Sequence, residues 1–129
     1  MQKINNSKGL PIELRRAYLA ACAVGLECEL HGGLTLGVSG VNFSPEDDTV
    51  DAMALVSAAQ RHGFVSHIGF TRTRLRLVVR IVVAYADTRV QIGASRWYVR
   101  PLENDPTRAM RLAIVDAFAD YYALEFPEA

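Results

Sequence analysis

Four arginines, at positions 72, 74, 76 and 80, punctuate the apolar run TRTRLRLVVRIVVAYAD, and Arg96, Tyr98 and Arg100 repeat the alternation further along. The guanidinium is a planar fork of donors that suits phosphate or carboxylate, and a tyrosine among arginines can stack on a base. Side chains on a strand alternate between faces, so the four arginines are expected on one side. Leu75, Leu77, Val79, Ile81, Val83 and Tyr85 then take the core side. With a three-residue hairpin loop, Ala86 sits opposite Val90, and Arg96, Tyr98 and Arg100 fall beside Arg80, Val78 and Arg76. That register also sends Trp97 and Val99 to the core. A loop one residue longer exchanges the faces and disperses the cluster. Like charges opposed across a sheet cost roughly 0.2–1 kcal/mol per pair, so the clustered ladder calls for compensation. Carboxylates from the first and third helices, simple solvation, or an anionic partner would each supply it. Such a partner is an acidic protein surface, a nucleoprotein complex, a nucleic acid or a nucleotide.

Other chemistry is weakly signalled. Of His31, His62 and His67, the last two flank a helix end and a strand with no third ligand at recognisable metal spacing, and Cys22 and Cys28 sit on a different element. No metal or cofactor is expected. The two cysteines are read on one helix, on nearly opposite sides and about 9 Å apart along its axis, a geometry that no disulfide spans. HGGLTLGVSG is rich in glycine but follows a helix, whereas phosphate-binding loops follow a strand and open a helix. Glu46, Asp47, Asp48 and Asp51 resemble a helix N-terminal cap more than a carboxylate pair for acid–base work. Ser39, Ser44, Ser57, Ser66 and Ser95 lie in no nucleophile-elbow context. The sequence nominates no catalytic residue, so a non-enzymatic role is expected.

The elements that would position these residues read as α, short β, α, β, β, β, α. Residues 11–31 are expected to form one helix, with Pro11 in its first turn, Gly32-Gly33 as its stop, and a narrow polar face of Glu13, Arg16, Ala20, Glu27 and His31. LTLGVSGV, 34–41, suggests an edge strand. A second helix opens near Ser44-Pro45 or Thr49, packs through Val50, Met53, Ala54, Ser57 and Ala58, and stops at Gly63. Three strands follow, FVSHIGF, TRLRLVVRIVVAYA and VQIGASRWYVR, the last two joined around Asp87-Thr88-Arg89. Asn104-Asp105-Pro106 opens a third helix with Met110, Ile114, Ala117, Phe118 and Tyr121 inward and Arg108, Arg111, Asp116 and Asp120 outward. The class is α+β, a mostly antiparallel sheet of three to four strands packed with three helices.

One domain of 129 residues, half of them hydrophobic and with no net charge, is a globular composition. The first ten residues are expected to be a flexible lead-in. No apolar run approaches the roughly 20 residues of a membrane span, and MQKINNSKGLP lacks a secretory h-region, which points to the cytoplasm. Neutrality hides an asymmetry, because the stretch from Arg61 to Arg100 holds eight arginines and a single acid, Asp87. An isoelectric point near 6.8 limits a nucleic-acid reading to a local patch.

FSPEDDTVDAMALVSAAQRHG and NDPTRAMRLAIVDAFADYY, with RWYV ahead of the second, resemble the phage ABA sandwich domain family over roughly residues 43–122. The Glu46–Asp48 insertion and the Met110-Arg111 pair depart from that pattern, and the first helix has no counterpart in it. The resemblance implies helix–sheet–helix layering and a mobile-element origin, with no activity to transfer. The expectation is therefore a small phage or mobile-element accessory that acts stoichiometrically on a host protein or complex, as a counter-defence inhibitor would. Its expected binding face is Arg72, Arg74, Arg76, Arg80, Arg96, Tyr98 and Arg100. Nucleic-acid or nucleotide binding by that face, and self-association through the apolar first helix, are the alternatives.

Overall fold

A computed structural model describes residues 2–62, 64–72, 76–85, 96–101 and 106–128, with side chains at 3–62 and 107–128. The class is α+β: three helices and two antiparallel sheets. Strands β1 (Gln2–Lys3), β2 (Cys28–His31), β3 (Thr35–Val38) and β4 (Val41–Asn42) form the first sheet in sequence order. Strands β5 (Phe64–Arg72), β6 (Arg76–Tyr85) and β7 (Arg96–Pro101) form the second. The helices are α1 (Ile12–Ala23), α2 (Thr49–Arg61) and α3 (Pro106–Glu125).

The first helix is half as long as expected, and the reason is Gly25. Its φ of +77° suits a residue without a Cβ. The Leu26 N–H bonds back to the Ala21 carbonyl at 2.9 Å and the Gly25 N–H to that of Cys22 at 3.2 Å, which closes a Schellman motif. The chain then reverses and Cys28–His31 becomes a strand. Gly32 and Gly33, expected to stop the helix, instead carry positive φ in the β2–β3 turn. Ser39 and Gly40, with φ of 54° and 80°, make the two-residue β3–β4 turn, in which both central residues need the left-handed region. The expected edge strand 34–41 is thus a small hairpin. The segment ahead of α1 carries local structure among its described residues. Gln2 and Lys3 pair with Leu30 and Glu29, a 3-10 turn spans Ser7–Gly9, and Leu10 is buried.

Helix α1 lies between two cores. One of its faces buries Ala17 and Tyr18 with Leu10, Leu30 and Leu36 against β2 and β3. The other joins Ala20, Ala21 and Val24 to Leu55, Ile114, Val115 and Phe118 of the two later helices. Helix α3 contacts α1, α2, β6 and β7, while α2 also contacts β5. The alanines of α1, α2 and α3 at zero exposure allow the helix backbones to approach closely. Ile114, Ala117, Phe118 and Tyr121 point inward as expected, with Met110 half-buried. Arg111, expected outside, is buried. It donates to the Glu46 carbonyl at 3.0 Å, to Thr49 Oγ1 at 3.2 Å and to Thr107 Oγ1 at 3.0 Å, which fastens α3 to the start of α2.

Candidate functional site

The backbone register divides the expected arginine ladder. Arg72 ends β5 and Arg76 opens β6, so a chain reversal separates them, and Arg74 lies outside the described residues. Across the β5–β6 pair Arg72 stands opposite Leu77, while Arg80 stands opposite Gly69. Across the β6–β7 pair Arg80 stands opposite Trp97, Leu77 opposite Arg100, Val79 opposite Tyr98 and Ile81 opposite Arg96. Directly opposed residues share a face. Arg76 and Arg80 therefore hold register positions on one face, with Trp97 and Val99, and Arg72, Arg96, Tyr98 and Arg100 on the other. The expected register was one residue short. It assumed Ala86 opposite Val90, which sets Arg80 against Arg96; Arg80 instead stands opposite Trp97, and a one-residue offset exchanges the faces of the partner strand. The Asp87-Thr88-Arg89 turn itself, and Ser95, lie outside the described residues.

Nor are Asp116 and Asp120 of α3 turned to solvent. Arg16 of α1 places Nη2 2.7 Å from Asp116 Oδ1 and 2.8 Å from Asp120 Oδ1, and its Nε donates to Asp116 at 3.0 Å. One guanidinium thus bridges two carboxylates a helical turn apart. Glu46 stands close to the same charges. Burial raises its pKa above the ordinary 4.5, and Asp116 and Asp47 reinforce the shift against Arg16 and Arg108.

The acids that open α2 serve the backbone. Asp48 is the N-cap, its Oδ1 accepting from the N–H groups of Val50 and Asp51 at 2.8 and 3.3 Å. Asp51 Oδ2 accepts from the Ser44 N–H at 2.8 Å, and the Ser44 hydroxyl donates to Asp47 at 3.0 Å. Of the EDD acids expected as a cap, Asp48 takes that place. Two histidines have structural employment as well. The His31 ring lies over Gly37 and approaches Asn42 at 3.3 Å and Glu29 at 3.4 Å. The His62 ring lies over Gly25, the residue that ends α1. Among the described residues no three His, Cys, Asp or Glu side chains converge as a metal site.

Cys22 on α1 and Cys28 on β2 line one cavity of about 880 Å³ together with Tyr18, Leu26 and Lys3. The single-helix geometry that separated them is therefore superseded, although both are free thiols. Burial pushes Cys28 up to about 12, helped by Cys22 and Glu29. Burial likewise raises Cys22, although the Tyr18 hydroxyl that bonds it pulls the other way. Neither is a thiolate nucleophile near neutral pH.

The largest departure concerns α2. Of the expected packing stripe, only Ala58 is buried; Val50 is 76% and Met53 40% exposed, and Ser57 is exposed. The buried face is instead Ala52, Leu55, Val56, Ala58 and Ala59. Helix α2 is apolar on two sides. The outer stripe, Val50, Met53, Ala54 and Ser57, forms one wall of an open groove of about 600 Å³. The other wall is Leu26, Val38, Phe43 and the hairpin residue Val41, itself 69% exposed. Asp51 flanks the groove at the start of α2 and Arg61 at its end. The sequence carried no signal for the choice, since each face holds two large apolar residues, Leu55 and Val56 on one and Val50 and Met53 on the other.

No protein-family model, curated protein or solved structure matches the chain. Among the described residues, no helix is long and apolar enough to cross a membrane.

Proposed function

We propose that this protein is a non-enzymatic protein-binding module, and that the groove between α2 and the β3–β4 hairpin is a surface on which another polypeptide docks. A single observation carries the reading: an apolar helix stripe and an apolar hairpin edge meet in an open groove on the outside of a packed core. Neighbouring apolar groups left in water at this density favour burial against another polypeptide, at roughly 25 cal/mol per Å² of apolar surface covered. The phage or mobile-element setting is the one the family resemblance implies. The seven-residue arginine face is not carried forward as a single surface, since the register divides it. The nucleic-acid alternative loses its clustered patch for the same reason.

The test is site-specific photocrosslinking in the full chain. A benzoylphenylalanine in place of Met53 should yield a covalent polypeptide adduct on irradiation. The same probe in place of Glu125, exposed near the end of α3, should not. No adduct from position 53, or equal adducts from both positions, rejects the groove as the contact surface.

A further inference from the structure

We infer that the occupant of this groove is a second copy of the same chain, docked with its α2 antiparallel to the first; the inference rests on the groove being a contact surface. The outer stripe of α2 runs Val50, Met53, Ala54, Ser57, Arg61, and these positions fall within about 100° of one another at 3.6 residues per turn. Its charges are polarised. Asp51 and the exposed Asp47 and Asp48 lie at its start, and Arg61 at its end, about 15 Å away at 1.5 Å per residue. A partner of uniform charge would meet one end favourably and the other unfavourably. A second α2 laid antiparallel across a two-fold axis meets both ends correctly, with each Arg61 set against the other copy's Asp51.

The middle of the stripe fits the same arrangement. Ala54 and Ser57 are small and fall at the point where the two helices would cross, so the backbones can approach, while Val50 lies alongside the aliphatic stem of the opposing Arg61. Val41 on the hairpin, 69% exposed, supplies the flank against which the second helix seats. A chain of zero net charge adds no long-range repulsion to this encounter. This interface also relocates the self-association expected of the first helix, whose inner faces are already committed to two cores.

The experiment is sedimentation equilibrium on the full chain and on two charge-reversed variants, Asp51→Lys and Arg61→Glu. The wild type is expected to dimerise. Each variant alone sets like charges together at both ends, and its dissociation constant should rise at least about tenfold. An equimolar mixture of the two variants should restore a dimer of near wild-type affinity, because every end is then paired with its opposite. A monomeric wild type, or variants that dimerise as well as the wild type, overturns the proposal, as does a mixture that stays monomeric. Asp51→Lys also removes a bond to the Ser44 N–H, so the mass of the Met53 photoadduct provides a second readout. An adduct of twice the chain mass supports the second copy. Adducts with other polypeptides alone overturn it while leaving the groove reading intact, and no adduct removes both.

Discussion

Glu46 is a half-buried carboxyl held near two other acids, and that placement has a measurable pH signature. Its folded-state pKa lies above its unfolded value, so the native protein holds this proton more tightly than the unfolded chain does. The resulting stabilisation is present in full below about the ordinary 4.5 and is lost as pH rises through the folded value. At neutral pH the ionised Glu46 is therefore a net burden. Glu46→Gln should raise the melting temperature at pH 7, on the order of a few degrees, and leave it nearly unchanged at pH 4. Thermal unfolding at the two pH values checks the sign; equal effects at both would point to packing rather than charge. Arg111, also buried, donates to neutral oxygens of the α2 approach and of its own helix.

The decisive element boundary is the end of α1. Gly25→Ala should cost about 1–2 kcal/mol for the left-handed backbone alone, before the methyl meets the His62 ring that covers this position. Urea denaturation of Gly25→Ala and of Gly25→Ala/His62→Ala separates the two contributions, since the second substitution relieves the contact but not the φ. A loss under a few tenths of a kcal/mol in the single variant would contradict the assignment of Gly25 as the helix terminator. The class, the three helices, the strands of the second sheet and the inward face of α3 were legible in the sequence, because apolar spacing is a strong signal in long elements. The first sheet was not. Its strands are two to four residues long, too short to show a period, and in CAVGLECELH the apolar spacing continues past Gly25 as though the helix did. The candidate groove was half legible. The residues of its α2 stripe were identified as apolar, but two opposed apolar faces on one helix do not announce which is covered. The arginine register was illegible for a different reason: the sequence 86–95 carries no Asn-Gly or Asp-Gly turn signal to fix the pairing.

Among the described residues, a long-range fastening joins α1 to α3. Arg16 reaches Asp116 and Asp120 across a sequence separation of 100 and 104 residues. Its side chain is 39% exposed and the carboxylates about 20%, so water and salt screen part of the attraction. Arg16→Met keeps most of the aliphatic stem and leaves two carboxylates a turn apart on α3 without their shared cation. The expected loss is about 1–2 kcal/mol by urea denaturation, smaller at high salt. A salt-independent loss would assign the effect to packing instead.

The order in which the chain is made gives that fastening a further meaning. Phe118, Ile114 and Val115 fill the space between α1 and α2 and are supplied by residues near the C-terminus, so the greasy sides of two earlier helices stay uncovered throughout translation up to that point. A ribosome-tethered fragment ending before residue 106 should consequently behave as a chaperone client, sticky and protease-sensitive, and become compact only when the final helix emerges.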